Sequence, residues 1–409
     1  MKWNTLIDKN DHSIYMETLS AISGALLENA HKTKGNIGVM GGQAGIALFF
    51  FYFAKLTGED KYVDFAHDLL SEIFAEVNDA FSIHTFSAGL AGVGWLMEHL
   101  SQNGLMEVDT DTILESLDPF LLDAMLYDLD KDNYDFLHGA LGTGTYFLSR
   151  AVKPKTAPYL LELVKRLDTL KIEQENNTIA WESVLDDTDE KDVRGYNFSL
   201  SHGNASIIVY LSKLLEKGIA TQQVLHLLKG AVQFILSYSL DTQKYPYNFP
   251  NWVGEKYTFG PSRLAWCYGD LGIGIALWQA AQSTGNKEWE KKALETLFHT
   301  TGRRDLQENW VRDAGLCHGA GGICHIFNRM YNYTGEPVFK DAAVYWLGQT
   351  MDMAVHKDGF AGFKTWYFER DGGWGAEPGL LGGVAGIGLM MISAISDIEP
   401  KWDRCLLLS

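Results

Sequence analysis

Two kinds of apolar segment alternate along the chain. The first kind carries a one-sided stripe of apolar residues every three or four positions, as in Phe65, Leu69, Ile73 and Val77, in Leu160, Leu163, Val164, Leu167 and Leu170, and in Trp289, Ala293 and Leu297. In the second kind nearly every position is apolar, as in residues 273–278. The stripes predict amphipathic helices, and the continuous runs predict helices that are buried on all sides.

Each continuous apolar run follows a Gly-x-x-Gly motif. The six complete copies are Gly42/Gly45, Gly89/Gly92, Gly139/Gly142, Gly269/Gly272, Gly319/Gly322 and Gly383/Gly386, and a seventh copy runs from Gly203 to Ser206. Successive first glycines are between 47 residues (Gly42 to Gly89) and 66 residues (Gly203 to Gly269) apart. Such long and uneven periods predict repeated helix pairs joined by loops of variable length.

Three of the copies also share an end signal. Thr57-Gly58, Thr284-Gly285 and Thr334-Gly335 each place the threonine 12 residues after the second glycine of the copy, for example Gly45 to Thr57. A glycine directly after a helix supplies the left-handed conformation that ends it. The offset therefore predicts helices of about 12 residues, roughly 18 Å long, between the two signals.

Seven buried helices alternating with seven amphipathic helices predict an all-α protein. The architecture that fits is an α/α toroid, a double-layered α-barrel of seven helix-pair repeats, formed by residues 1–409 as a single domain. Glycines at the start of the inner helices let their backbones approach closely, because no Cβ atom intervenes. An open α-solenoid is the alternative that periodicity leaves open. A two-domain α/β protein is disfavoured because strand-like alternation is scarce.

The bulk composition narrows the class of partner. The formal net charge of -18 argues against nucleic acids and anionic membranes, and it is compatible with a neutral or basic peptide. No apolar run is long enough to cross a bilayer, so we expect no membrane insertion. Four cysteines in 409 residues do not make a disulfide scaffold, which predicts a reducing, cytoplasmic setting.

Two of the repeat motifs carry candidate metal ligands. Cys267 in Trp-Cys-Tyr-Gly and Cys317 in Leu-Cys-His-Gly stand at equivalent places, two residues before a first glycine, and His318 directly follows Cys317. Thiolate and imidazole are the ligands that zinc prefers, and a catalytic zinc keeps one position open. Adjacent ligands can bind one ion from a loop at a helix start. The alternative is that these cysteines are small buried residues in a glycine-rich turn.

The other cysteines receive no site role. Cys324 and His325 lie further along the same predicted buried helix, which indicates core positions. Cys405 lies outside every repeat.

Candidate catalytic groups occupy the same kind of place. His202 and His138 directly precede first glycines, Asp135 lies three residues before His138, and Arg263 lies four residues before Cys267. We expect both histidines to face the mouth of the toroid, where they either take part in catalysis or serve as structural groups. Asp135 and Arg263 either belong to the site or form a structural ion pair.

Trp266-Cys267-Tyr268-Gly269 together with Cys317-His318-Gly319 resembles the motifs of the lanthionine synthetase C-like family. The cyclases of class I lanthipeptide biosynthesis belong to this family. The resemblance covers essentially the whole chain, because all seven glycine motifs are in register. The paired Cys motifs are specific, whereas a single Gly-x-x-Gly is not.

The resemblance implies a zinc cofactor and a set of site residues. They are Cys267, Cys317 and His318 as zinc ligands, His202 as the acid/base histidine, Asp135 as the acidic residue ahead of the third glycine motif, and Arg263 and Tyr268 as further site residues. His138 has no role assured by the resemblance.

The implied reaction is the addition of a zinc-bound Cys thiolate to dehydroalanine or dehydrobutyrine in the same peptide, which forms a thioether ring. His202, oriented by Asp135, would protonate the resulting enolate. Arg263 or Tyr268 would either stabilise the enolate oxygen or hold Asp135. The implied partner is a precursor peptide dehydrated by a separate enzyme. A lanthipeptide dehydratase and an exporter complex remain open as further partners.

Three other functions remain open at this point. A related enzyme would add glutathione to dehydroamino acids by the same chemistry. A toroidal glycosidase would need two carboxylates, for which Asp135 and Asp270 are candidates, but it leaves the Cys-His set unexplained. A non-catalytic zinc-bearing adaptor would bind a peptide but would have no need of Asp135, His202 and Arg263.

Overall fold

The structure is a computed structural model that describes residues 2–78, 82–150, 156–184, 193–254, 262–368 and 372–409. Contacts divide the chain into two compact units. Unit 1 comprises residues 1–108 and 306–408, and unit 2 comprises residues 109–305 and 409. Each unit is described below by itself, and the single domain over residues 1–409 stays a prediction.

Unit 1 is built from helices and one short hairpin. Its helices are α1 (Ser13–Asn29), α2 (Gln43–Thr57), α3 (Asp60–Asn78), α4 (Leu90–Gln102), α13 (Ala320–Thr334), α14 (Pro337–Asp352) and α15 (Val384–Ile395). Its strands are β6 (Thr365–Trp366) and β7 (Trp374–Gly375), which pair antiparallel with Trp366 opposite Trp374. The helix α1 packs against α15, and α2 packs against α3, α4 and α15.

Unit 2 contains the intervening helices and five short strands. Its helices are α5 (Thr110–Leu114), α6 (Leu117–Asp130), α7 (Ala140–Ser149), α8 (Ala157–Leu170), α9 (Asn204–Glu216), α10 (Thr221–Ser237), α11 (Asp270–Thr284) and α12 (Lys287–Thr301). Its strands are β1 (Ile172–Glu173), β2 (Ile179–Ala180), β3 (Ser183–Val184), β4 (Arg194–Asn197) and β5 (Trp252–Val253). The strand β4 pairs antiparallel with both β3 and β5, and Asn197 lies opposite Trp252.

The predicted buried helices are present, and each begins directly after a first glycine. These helices are α2, α4, α7, α9, α11, α13 and α15, which follow Gly42, Gly89, Gly139, Gly203, Gly269, Gly319 and Gly383. Every residue of α15 is buried, and α2 is buried from Gln43 to Ala54. Helices that are apolar on all sides need this environment, because exposure of any face to water is unfavourable.

The striped segments form the partner helices. The helix α8 buries Leu160, Leu163, Val164 and Leu167, and α12 buries Trp289, Ala293 and Leu297. Burial of one such large aliphatic side chain stabilises the fold by roughly 1.5–3 kcal/mol. The pairs α2–α3, α7–α8, α9–α10, α11–α12 and α13–α14 are in contact. The predicted helix-pair repeat is therefore confirmed, and the one-turn helix α5 is an addition that the periodicity did not indicate.

The predicted end signals are also confirmed. Gly58, Gly285 and Gly335 follow α2, α11 and α13 in the left-handed conformation, with φ of 73°, 69° and 76°. These helices have 15 residues rather than about 12, because they begin after the first glycine of the motif and not at the second. None of the helices in the described ranges combines the length and the apolar character that a membrane crossing requires.

Gly45 allows a close backbone approach that can be tested. A Cβ atom at this position would overlap the carbonyl oxygen of Val39 and lie 2.9 Å from Cβ of Leu380. We expect Gly45→Ala to destabilise the protein by about 1–3 kcal/mol. The control is Gly348→Ala in α14, where an added Cβ meets nothing within 4 Å and should stabilise by up to about 1 kcal/mol. Melting temperatures measure both effects, and an unchanged value for Gly45→Ala would contradict the steric argument.

Candidate active site

The six residues before each first glycine form a loop of recurring conformation, here called the entry loop. The entry loops are residues 36–41, 83–88, 133–138, 197–202, 263–268, 313–318 and 377–382. A Cβ atom on the glycine after each loop would overlap the carbonyl oxygen of the residue at the first loop position. The first glycine is therefore required by this close approach, which turns the chain sharply into the buried helix.

Backbone hydrogen bonds fix the entry loop at the same points in several repeats. The carbonyl oxygen at the first position accepts the N–H of the residue after the glycine in the pairs Asn36–Gln43, Ile83–Leu90, Asn133–Ala140, Asp313–Ala320 and Glu377–Val384, at 2.9 to 3.0 Å. The same bonds hold the last two loop positions directly at the start of a buried helix. His138 and the Cys317-His318 pair lie in loops held in this way. In the loops of His202 and Cys267 the close approach of the first-position carbonyl to Gly203 and Gly269 shows the same turn.

Four entry loops carry a side-chain bond that the sequence reasoning missed. Their first residue is Asn or Asp, and its side-chain oxygen accepts the backbone N–H two residues on: Asn36 from Gly38 at 3.2 Å, Asn133 from Asp135 at 3.4 Å, Asn197 from Ser199 at 2.8 Å and Asp313 from Gly315 at 3.0 Å. This is an Asx turn. The signal was readable as Asn or Asp six residues before the first glycine.

In unit 2, His202 is paired with Asp135. Nδ1 of His202 lies 2.6 Å from Oδ2 of Asp135. Oδ1 of Asp135 accepts the backbone N–H groups of Leu137 and His138, both at 2.7 Å, and Ser199 Oγ accepts the N–H of His202 at 3.0 Å. These contacts fix the position of the His202 ring and place its Nδ1 against the Asp135 carboxyl.

The charge state of Asp135 follows from its contacts. Burial alone would raise the pKa of the Asp135 carboxyl, but the hydrogen bond and the charge of His202, together with the backbone N–H of His138, outweigh this effect. The resulting pKa lies below the usual value for Asp. Asp135 is therefore a carboxylate at neutral pH.

Two aromatic rings flank His202. The ring of His138 stacks on that of His202 with centroids 5.8 Å apart, and Tyr268 lies on another side at 6.3 Å. Tyr268 packs against Trp252 at 5.1 Å, and its hydroxyl accepts a hydrogen bond from Nδ2 of Asn197 at 3.4 Å. Tyr268 is thus held in place beside the histidine by groups from β4 and β5.

Arg263 stands apart from this pair. Within the described residues, Asp135 forms its ion pair with His202 and none with Arg263. The structural ion pair that the sequence left open between Asp135 and Arg263 is therefore absent from this part of the chain. Arg263 is the first residue of its entry loop, and its carbonyl oxygen is the atom that Gly269 must accommodate.

His202 and Tyr268 open into a cavity of about 660 Å³ in unit 2. Its lining comprises Lys131, Asp132, Asn133, Tyr134, Asp135, His138, Glu182, Ser183, Val184, Arg194, Asn197, His202, Trp252 and Tyr268. The strands β3, β4 and β5 supply one wall, including Arg194 and Trp252. Sequence reasoning missed these wall residues, because they come from segments outside the glycine repeats.

In unit 1, the Cys317-His318 pair occupies the last two positions of its entry loop. The N–H of Cys317 donates to the carbonyl oxygen of Leu381 at 2.9 Å. Nε2 of His318 lies 3.4 Å from the carbonyl oxygen of Trp366 and 3.4 Å from Oδ2 of Asp313. The imidazole is therefore held from its Nε2 side.

Cys267 of unit 2 is buried in the corresponding position. Its carbonyl oxygen accepts the N–H of Leu200 at 3.0 Å, which ties its entry loop to the loop that carries His202. Among the described residues, Cys267, Cys317 and His318 are a group of side chains that could hold a metal ion.

The remaining cysteines lie in the core, as expected. Cys324 and Cys405 are fully buried, and burial raises the pKa of both thiols. His325 is also buried, and its Nε2 lies 2.8 Å from Oδ2 of Asp403, which also accepts from Arg329. This polar cluster connects α13 to the C-terminal segment and is structural.

The recurring entry loops and the Cys and His groups agree with a comparison to known families. The sequence profile of the lanthionine synthetase C-like protein family matches residues 34–407. The chain belongs to the lanthionine synthetase C-like family. This confirms the resemblance noted for the Trp-Cys-Tyr-Gly and Cys-His-Gly motifs, and with it the predicted class of enzyme.

A solved structure shares the fold. The chain is similar to nisin cyclase, with a TM-score of 0.74 and 17% sequence identity, over 97% of this chain and 98% of that one. The predicted all-α class and the α/α-toroid fold are thereby confirmed. At this identity the similarity establishes the fold, and the chemistry must be argued from the residues.

Proposed function

We propose that the protein is a zinc-dependent lanthipeptide cyclase. It would add Cys thiolates to dehydroalanine or dehydrobutyrine in a dehydrated precursor peptide and form lanthionine or methyllanthionine rings. The observation that carries the proposal is the Cys267, Cys317 and His318 donor group in a member of the lanthionine synthetase C-like family. The paired His202 and Asp135 at the cavity of unit 2 add the proton chemistry that such a reaction needs.

The donor group fits zinc by its chemistry. Two thiolates and one imidazole are soft and borderline ligands of the kind that zinc selects, and three protein ligands leave a fourth position for a substrate. When bound there, zinc supplies a Lewis acid that favours the thiolate form of a substrate cysteine at neutral pH. Cys267, Cys317 and His318 would hold it.

His202 would supply the proton that completes the addition. As the sulfur–carbon bond forms at the β-carbon, the electron pair of the C=C bond moves into an enolate, and the α-carbon must then receive a proton. Because Nδ1 of His202 is held by Asp135, Nε2 would be the nitrogen that donates this proton. The Asp135 carboxylate stabilises the protonated imidazole and fixes its orientation.

Tyr268 and Arg263 are the proposed groups for the enolate oxygen. Tyr268 lies beside His202 and lines the same cavity, so its hydroxyl is placed to donate a hydrogen bond to a substrate bound there. Arg263 belongs to the entry loop that ends in Cys267 and Tyr268. A donor directed at developing negative charge lowers the barrier of such a step.

The glycosidase alternative is disfavoured by Asp270. This residue is fully buried, and its carboxylate accepts from the N–H groups of Asn248 and Phe249 and pairs with Arg303 at 3.4 Å. A catalytic carboxylate must reach the substrate, and Asp270 instead fixes the start of α11 against neighbouring segments. Asp135 is then left without a second carboxylate of the proposed pair.

The substrate class and setting follow from the same proposal. The partner would be a dehydrated precursor peptide, with a lanthipeptide dehydratase and an exporter complex as further proposed partners. We propose the cytoplasm as the compartment, because zinc ligation by Cys267 and Cys317 requires reduced thiols.

The proposal is tested by following free thiols in a dehydrated, Cys-containing precursor peptide. Addition within one molecule is an isomerisation, so thiols should disappear while the peptide mass stays constant. Alkylation of the remaining thiols before and after incubation measures this loss, and a zinc chelator should slow it. A reaction without enzyme is the control for spontaneous addition.

Two outcomes would change the assignment. Equal rates with and without enzyme would remove the cyclase activity. If reduced glutathione is present, an enzyme-dependent mass increase of one glutathione for each dehydroamino acid would instead identify the glutathione-adding alternative.

A further inference from the structure

Asp313 differs from its counterparts in the other Asx-turn entry loops. The turn requires a side-chain oxygen that accepts a backbone N–H, and Asn supplies it at Asn36, Asn133 and Asn197. Asp313 makes the same bond to Gly315 but adds a negative charge that the turn does not need. Among these four loops, the charged residue stands in the one that carries the Cys317-His318 pair.

The charge of Asp313 is buried beside His318. Asp313 is 2% exposed, and a buried carboxylate is costly unless cations or hydrogen bonds compensate it. Its Oδ1 accepts the N–H of Gly315 at 3.0 Å, and its Oδ2 accepts the N–H of Trp366 at 2.8 Å. Within the described part of the chain, His318 is the basic side chain at ion-pair distance from it, at 3.4 Å.

Asp313 also connects its entry loop, residues 313–318, to the antiparallel pair of β6 and β7. Oδ2 of Asp313 accepts the backbone N–H of Trp366. This bond fixes the backbone of Trp366, whose carbonyl oxygen lies 3.4 Å from Nε2 of His318. The guanidinium of Arg312 covers the Trp366 ring at 3.9 Å. Two acceptors, one of them charged, thus face the same nitrogen of His318.

We propose that Asp313 is a positioning residue for the metal centre, and this inference rests on the proposed function. Together with the Trp366 carbonyl, it keeps the ring proton of His318 on Nε2 and so presents Nδ1 to the metal. The carboxylate makes the imidazole a stronger electron donor, and it offsets part of the positive charge of a bound divalent ion. Such partners fix both the tautomer and the orientation of a ligating histidine.

The test compares Asp313→Asn with the wild-type protein. Asn keeps the shape and the acceptor for Gly315, as it does in the three other loops, but it removes the charge. We expect the variant to bind zinc about 10- to 100-fold more weakly, measured by competition with a chromogenic chelator. The metal-free variant should melt at the wild-type temperature, because the turn is preserved.

Cobalt substitution supplies a readout that a purely structural role would not change. In Co²⁺-loaded Asp313→Asn, the thiolate-to-metal absorption should persist, because both cysteines still bind. The visible ligand-field bands should shift, because the imidazole donor is altered. Asp313→Ala also removes the acceptor for Gly315, so it should weaken zinc binding and lower the melting temperature together.

Asn36→Asp is the matched control, since it makes the reverse change in an entry loop of the same unit without a Cys-His pair. Its zinc affinity should equal that of the wild type. Equal zinc affinity and an unchanged cobalt spectrum in Asp313→Asn would overturn the inference alone, as would a lowered melting temperature of its metal-free form. A wild-type protein that binds no zinc would instead overturn the proposed metal centre on which the inference depends.

Discussion

The Cys267→Ala/Cys317→Ala double variant should fold normally but contain no zinc and show no cyclisation above the uncatalysed rate. The variant removes both thiolates of the proposed donor group and leaves one imidazole, which cannot hold zinc alone at ordinary concentrations. An unassisted cysteine thiol has a pKa near 8.5, so only roughly 3% of it is thiolate at pH 7. Zinc content by elemental analysis and the loss of peptide thiols measure the two effects.

The fold should survive this change because the core does not depend on one ion. The buried helices are held by apolar burial along their whole length, as in α2 and α15. The Cys324→Ala/Cys405→Ala variant is the matched control, since it also removes two thiols. Both of these thiols are fully buried, and burial raises their pKa. This control should keep one zinc per chain. Full zinc retention in the first variant, or activity of the metal-free wild type, would refute the assignment.

The parts of the fold that could be predicted are those fixed by local chemistry. A first glycine such as Gly42 or Gly319 is required because a carbonyl only six residues earlier approaches it. The run of apolar residues that follows is buried on all sides, as in α2 and α15. The glycine, the carbonyl that approaches it and the buried helix that follows all lie within about 20 residues of sequence. The starts of the buried helices could therefore be predicted from the glycines.

The positions of the candidate site residues in their loops were predictable for the same reason. Cys267, Cys317 and His202 occupy the last two positions of entry loops in which the carbonyl oxygen of the first residue approaches the following glycine. The pairing of His202 with Asp135, over a separation of 67 residues, was indicated by the family resemblance and not by any spacing in the chain.

The other features of the site depend on contacts between residues that are far apart in the sequence, and the repeat pattern does not indicate such contacts. The wall of the unit 2 cavity comes from β3, β4 and β5, which are two to four residues long and too short to give a periodic signal. The bond between Asp313 and Trp366 spans 53 residues. Pattern analysis could identify the Asp six residues before the glycine, but it could not identify what its second oxygen binds.

The second large effect is expected at His202. Replacing it by Asn should retain one zinc per chain but lower kcat for cyclisation by roughly 10²–10⁴-fold, which is the usual contribution of a positioned acid or base. Asn can take up space in the loop, but it cannot donate a proton to the enolate carbon. Because thiolate activation is left intact, the substrate should still bind, and KM should change much less than kcat.

Two neighbouring variants separate proton transfer from mere disturbance of the loop. Asp135→Asn removes the negative charge that orients His202 and stabilises its protonated form. It should lower kcat by less than His202→Asn does, with the zinc content unchanged. His138→Asn is the matched control, because Asp135 binds the backbone N–H of His138, which the substitution preserves. The His138→Asn variant should keep most of the activity.

If His202→Asn cyclises an authentic dehydrated precursor at the wild-type rate, the protonating group is not His202. The role of the His202–Asp135 pair would then be structural, and Tyr268 in the same cavity would be the next candidate for the protonating group.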